Sequence, residues 1–86
     1  MNKKDLIDDV CFKTKLTKKE IDMVLTSILE IIVTKVSQGD RVRLVGFGSF
    51  YTYKKRFVID SKYVTKRSIV KFSPGKFFKQ KINVQN

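Results

Sequence analysis

Apolar residues recur at helical spacing in the first half of the chain and alternate with polar ones in the second. Leu6, Ile7, Val10 and Cys11 stand on one helical face and predict a short amphipathic helix from Lys3 to about Lys13. Asn2 is placed to cap it, and Asp5 at the third helical position complements the positive end of the helix dipole. Thr17-Lys18-Lys19-Glu20 has the spacing of a capping box, with Leu16 able to staple onto Ile21, so a second helix starts here. Ile21, Val24, Leu25, Ile28, Leu29, Ile31, Ile32, Val33 and Val36 cover more of that helix than one narrow stripe. In so small a domain, burial on several sides calls for a wall from a second subunit. Gly39 supplies the left-handed stop.

From Arg41 to Val45 polar and apolar residues alternate as in a half-buried strand. Gly46-Phe47-Gly48-Ser49-Phe50 then sets two glycines around an aromatic, which permits a tight turn or bulge while both phenylalanines enter a core. Tyr51 to Ile59 and Lys62 to Phe72 are rich in β-branched, aromatic and basic residues, and Asp60-Ser61 between them predicts the turn of a long hairpin. Lys54, Lys55 and Arg56 are consecutive, and Lys62, Lys66, Arg67 and Lys71 occupy both faces of the returning strand, so neither face of the outer hairpin can be buried in protein. Ser73 as cap and Pro74 at the first helical position predict a last helix from Pro74 to about Val84, with Phe78 and Ile82 on its apolar side and Lys76 and Lys79 on the other.

Charge sharpens this division. Residues 1–40 carry seven lysines against seven carboxylates, whereas residues 41–86 carry twelve lysines and arginines against Asp60 alone, so the whole net charge of +11 belongs to the second half. A surface built only for solubility would intersperse the signs. This one implies an anionic partner and expects the first half to serve folding and association. The expected organisation is one domain over 1–86: a helical dimerisation part over 1–40, a sheet and β-arm over 41–72, and a C-terminal helix over 73–86.

The remaining chemistry is sparse. Cys11 is the lone cysteine and reads as a small apolar residue, and without histidine a zinc site lacks ligands, so neither a metal nor a cofactor is expected. The usual nucleophile and base pairs are missing as well, which speaks against an enzyme. Asp5, Asp8 and Asp9 interrupt any apolar stretch at the start, so no membrane span is expected, and a reducing cytoplasm fits.

Two helices, a strand leading into Gly46-Phe47-Gly48-Ser49-Phe50, a basic ribbon and the block Phe72-Ser73-Pro74-Gly75-Lys76 together resemble the HU/IHF family of bacterial DNA architectural proteins, as does the opening Met1-Asn2-Lys3-Lys4-Asp5-Leu6-Ile7. The resemblance implies an α+β fold: an intertwined dimer with two N-terminal helices, a three-stranded antiparallel sheet with a protruding arm, and a short C-terminal helix. It implies binding and bending of double-stranded DNA through the minor groove and the phosphate backbone, without sequence specificity, in the architecture of the nucleoid. The dimer core would comprise Ile28, Leu29, Ile32, Leu44, Phe47, Phe50, Phe72 and Phe78. DNA would meet Lys3, Tyr53, Lys54, Lys55, Arg56, Val58, Ile59, Lys62, Lys66, Arg67, Lys71, Lys76 and Lys79. Tyr53 departs from a family position that is usually basic. The arm is several residues shorter than usual and lacks the Arg-Asn-Pro tip, whose proline wedges between base steps. Val58 and Ile59, the apolar residues nearest the tip, stand where a blunter wedge would be, or pack on each other or on Tyr63. Pairing with itself and pairing with a related chain are both compatible with these core residues. RNA or an acidic protein is the alternative partner for so basic a module.

Overall fold

A computed structural model describes residues 1–83 as α1 (Lys3–Thr14), α2 (Lys18–Ser37), β1 (Val42–Leu44), β2 (Gly48–Asp60), β3 (Tyr63–Pro74) and α3 (Lys76–Asn83). Val84, where the sequence pattern ends the last helix, lies outside the described residues. The chain divides into two compact units, one spanning Met1–Ile31 and the other beginning at Ile32.

Both N-terminal caps form as their sequences dictate. The Asp5 N–H donates to Asn2 Oδ1 at 3.0 Å and the Asn2 N–H to Asp5 Oδ2 at 3.2 Å, a reciprocal box that satisfies two orphan donors of α1. At α2 the Glu20 N–H donates to Thr17 Oγ1 at 3.1 Å, and the Thr17 N–H donates to Glu20 Oε1 at 3.2 Å. α1 ends on Lys15, a non-glycine residue in the left-handed region at φ 66°. α2 ends on Gly39 at φ 93°, where the Gly39 N–H reaches Val36 O at 3.0 Å and the Asp40 N–H reaches Lys35 O at 3.0 Å. This is the paired closure for which a glycine after the cap is suited.

In the first unit the core is small. Ile7 and Ile21 are buried, and Leu6, Val10, Leu16, Val24 and Ile28 line an apolar hollow of about 360 Å³ beside them. Along α2 in this unit Ile21 is buried, whereas Ile28 and Leu29 stay 47% and 46% exposed. The apolar surface expected of α2 is therefore present and exposed at Ile28 and Leu29.

In the second unit the sheet order is β1-β2-β3, antiparallel throughout. Three rows cross it. Leu44, Gly48 and Pro74 form one row, Val42, Phe50 and Phe72 another on the same face, and Arg43, Ser49 and Ser73 lie between them on the opposite face. On the first face Phe72 packs against Phe50 and Phe47 with ring centroids 4.8 and 5.3 Å apart, and Phe78 from α3 joins Phe47 at 5.4 Å. Gly48 makes this possible: a Cβ there would lie 2.5 Å from Phe72 Cζ and 2.7 Å from Ser73 O.

Two boundaries differ from the expectation. The last helix begins at Lys76, not at Pro74, because Pro74 stays in the sheet opposite Gly48 on an edge strand that does not need its missing N–H. The Gly75 N–H donates to Phe47 O at 2.9 Å, and Gly75 O then accepts the first helical bond from the Lys79 N–H at 3.0 Å. The hairpin reverses one residue later than Asp60-Ser61, through Ser61-Lys62, because Asp60 still pairs with Tyr63 and its side chain accepts from the Lys62 N–H at 2.7 Å.

Candidate nucleic-acid interface

Strict alternation along a two-stranded ribbon assigns every arm residue to a face. One face carries, in opposed pairs, Thr52 and Val70, Lys54 and Ser68, Arg56 and Lys66, and Val58 and Val64. The other carries Tyr51 and Lys71, Tyr53 and Ile69, Lys55 and Arg67, and Phe57 and Thr65. The consecutive basic residues thus charge both faces, as the sequence required, and Lys54, Lys55, Arg56, Lys62, Lys66, Arg67 and Lys71 are all exposed.

The two faces hold their cations differently. On the Tyr53 face, Lys71 Nζ lies 5.9 Å from the Tyr53 ring centroid, and Lys55 and Arg67 approach the Phe57 ring at 5.6 and 5.7 Å. An aromatic face orients a cation without cancelling its charge. On the other face, Arg56 and Lys66 meet as like charges with no carboxylate beside them. The ion pairs found among the described residues, Lys3 with Asp22 and Lys18 with Asp8, belong to the first unit.

At the tip the ladder breaks between Val58 and Asp60, leaving Ile59 as the extra residue of a bulge. Val58 and Ile59 are 69% and 62% exposed, so packing on each other or on Tyr63 covers little of them. Asp60, the one acid of the second half, is engaged in the turn.

The remaining expected contacts fall outside the ribbon. Lys76 and Lys79 are exposed on α3, and Lys76 borders a groove of about 720 Å³ that also takes in Arg41, Arg43, Ser49, Ser73 and Gln80. Lys3 sits in the first unit, where its Nζ contacts Asp22 Oδ1 at 3.2 Å and donates to Thr26 Oγ1 at 2.9 Å, so its charge is partly answered within the chain. Of the expected dimer-core residues, Phe50, Phe72, Phe78 and Ile32 are half-buried, whereas Ile28, Leu29, Leu44 and Phe47 remain exposed.

Sequence reasoning missed Arg41, Arg43 and Tyr51 as site residues. The Arg41 guanidinium carbon lies 4.3 Å over the Tyr51 ring centroid, and Arg43 shares a row with Ser49 and Ser73 beside the groove. Arg41 precedes β1, and the sequence carries no local signal for its contact with Tyr51, which arises only when β1 pairs with β2.

Comparison with known proteins agrees over nearly the whole length. The family model described as bacterial DNA-binding protein matches residues 1–83. The DNA-binding protein HU of Nostoc sp. is 39% identical over 89 aligned positions, covering 95% of each chain. That of Thermotoga maritima is 37% identical, covering 95% of this chain and 99% of its own. Among solved structures, a single-site HU variant from Thermotoga maritima superposes with a TM-score of 0.81 at 38% identity, over 96% of this chain and all of the other. An HU–DNA cocrystal structure from Anabaena gives 0.80 at 39% identity, over 96% of this chain and 98% of that one. The motifs, the sheet rows and these likenesses agree, and the chain belongs to the HU/IHF family of bacterial DNA-binding proteins.

Proposed function

We infer that this chain is a DNA-binding, DNA-bending architectural protein that works as a dimer and grips the duplex with its β2–β3 ribbon. The observation that carries the reading is the ribbon itself. Its cations project from both faces, its only carboxylate is engaged at the turn, and a solitary two-stranded ribbon is marginal unless something lies against it. A polyanion meets that need. Lys54, Lys55, Arg56, Lys62, Lys66, Arg67 and Lys71 neutralise phosphates and release condensed counterions, which gives affinity without sequence information and a steep salt dependence. The arm follows the minor groove, as the family resemblance implies, and there it reads groove width and deformability more than base identity. Tyr53 lies along the groove wall, Val58 and Ile59 enter between base steps at the tip, and Lys3, Lys76 and Lys79 hold flanking phosphates. The role is binding, not catalysis, and its place is the nucleoid of the cytoplasm. No helix among the described residues is long and apolar enough to cross a membrane.

Dimerisation follows from what one chain leaves uncovered. Ile28, Leu29, Ile31 and Val33 on α2, with Leu44 and Phe47 at the sheet, are too large an apolar surface for a stable monomer. A second copy, or a closely related chain, covers them and completes a core that Phe50, Phe72 and Phe78 begin. In that dimer the helical part, the sheet with its arm, and the last helix act as one domain.

The test is retention of random-sequence duplex on a filter across a salt series, with RNA and an acidic protein as competitors. The triple variant Lys54→Ala, Lys55→Ala, Arg56→Ala is expected to bind more weakly and with a flatter salt slope while its circular dichroism is unchanged. Failure of the wild-type chain to retain duplex at low salt, or full affinity in the triple variant, defeats the reading. Sedimentation equilibrium of the purified chain decides between self-pairing and a partner of another sequence.

A further inference from the structure

The face of the sheet opposite the phenylalanine core does not stop being basic where the arm ends. Below the Tyr51–Lys71 rung comes the row Arg43, Ser49 and Ser73, and this row opens onto the groove bordered by Arg41, Lys76 and Gln80. Arg41, Arg43 and Lys76 are exposed, and no carboxylate pairs with any of them among the described residues. Small serines on the middle and far strands leave the floor of the groove low, so an incoming chain can reach the arginines.

We propose that Arg41 and Arg43, with Lys76, form a phosphodiester-binding patch at the root of the arm, and that Tyr51 positions Arg41 within it. The proposal rests on the DNA-binding reading above and adds to it a contact surface outside the ribbon. Three physical points support it. A planar guanidinium is suited to the two oxygens of a phosphate, and Arg41 and Arg43 both line the one groove. With its guanidinium carbon 4.3 Å over the Tyr51 ring centroid, Arg41 is oriented by a group that leaves its charge uncancelled for an anion. A carboxylate in place of the ring would have held the side chain equally well and cancelled the charge. Finally, from Ser49 to Lys55 the strand rises about 20 Å, the span of roughly six phosphates along one DNA strand. Patch and arm therefore take different phosphates of one backbone and do not compete for the same ones.

The test compares the double variant Arg41→Gln, Arg43→Gln and the single variants Tyr51→Phe and Tyr51→Leu with the wild-type chain, in binding to a random-sequence duplex across a salt series. The expected result for the double variant is a salt slope reduced by about 0.9 for each phosphate that an arginine no longer neutralises, with an unchanged thermal melt. Tyr51→Leu keeps the net charge yet is expected to lose the share of the slope that belongs to Arg41, and Tyr51→Phe, which keeps the ring, to restore it. A wild-type slope in the double variant overturns the patch. Equal loss in Tyr51→Phe and Tyr51→Leu overturns the positioning role, because the hydroxyl and not the ring would then matter. The arm reading fails separately, through the triple variant at Lys54, Lys55 and Arg56, whose outcome does not depend on Arg41 or Arg43.

Discussion

Arg56 stands directly opposite Lys66 across the β2–β3 ribbon, and one rung nearer the root Lys55 faces Arg67. Like charges in directly opposed positions destabilise a ladder, so the free arm is held together against its own electrostatics. DNA relieves this strain and salt screens it. Two consequences have opposite signs: between roughly 0.01 M and 0.15 M salt, amide exchange in the free arm is expected to slow while affinity for duplex falls. Lys66→Glu, which sets a carboxylate against Arg56, is expected to stabilise the free arm by about 0.2–1 kcal/mol and to weaken DNA binding. Faster exchange in that variant would show that the charges do not limit the ribbon.

Gly46 lies in the β1–β2 turn and Gly48 opens β2, and the two are needed for different reasons. At Gly48 a Cβ meets Phe72 and the Ser73 carbonyl oxygen, so Gly48→Ala is expected to cost about 1–3 kcal/mol by forcing Phe72 out of the aromatic cluster. At Gly46 nothing lies within 4 Å and the demand is on the backbone alone, at φ 85°. Gly46→Ala is expected to cost about 1 kcal/mol, and Gly46→Asn less, because Asn tolerates the left-handed region. Urea unfolding at fixed protein concentration checks the order, and a milder effect at Gly48 than at Gly46 contradicts it.

These glycines also show how far the sequence could be read. Both caps, the Gly39 stop, the hairpin and the two-faced charge of the arm follow from local rules, because each depends on residues close in the chain. Pro74 did not, since a proline after a serine suits a helix start, and only pairing with Gly48, which is distant in sequence, keeps it in the sheet. Arg41 escaped notice for a similar reason. As one cation among twelve in the second half it carried no mark, and its partner Tyr51 becomes a neighbour only when β1 and β2 pair. The bulge at Ile59 depends on the register of the whole ribbon, which alternation sets only in part.

The pH dependence of the helical unit has two ends. Hydrogen bonds from the Thr17 side chain and backbone hold the Glu20 carboxyl below its ordinary value. A depressed carboxyl contributes stability that is present above its unfolded value and is lost as pH falls through the folded one. Lys18 is shifted upward by its hydrogen bond and charge pairing with Asp8 at 3.1 Å. Its contribution is full below its unfolded value and is lost as pH rises through the folded one. Glu20→Gln keeps a capping partner for Thr17 and is expected to remove part of the acid-side loss, while Asp8→Asn is expected to flatten the alkaline side. Thermal melts across the pH range check both, and unchanged profiles would leave the two contacts without a role in stability.

The last expectation concerns the arm tip, where the ladder leaves Ile59 unpaired between the rungs Val58–Val64 and Asp60–Tyr63. A bulge sharpens the local twist and re-aims the side chain that it frees, so an apolar residue at the end of the arm is turned out of the strand alternation. Opening a base step costs a few kcal/mol, which only a group that fills the gap and excludes water from it can offset. Val58 and Ile59 have that character and serine does not. The double variant Val58→Ser, Ile59→Ser is therefore expected to hold intact duplex at a smaller bend angle, read by fluorescence transfer between the duplex ends. It should approach the wild-type angle on DNA that already carries a nick, where no stacking has to be broken. Affinity is expected to change little in either case, because the phosphate contacts are untouched. Val64→Ser removes the same bulk from the opposing strand without touching the bulge and should leave the angle as it was. A wild-type bend in the double variant on intact duplex would mean that the tip is a plain turn and that bending comes from charge neutralisation along the ribbon alone.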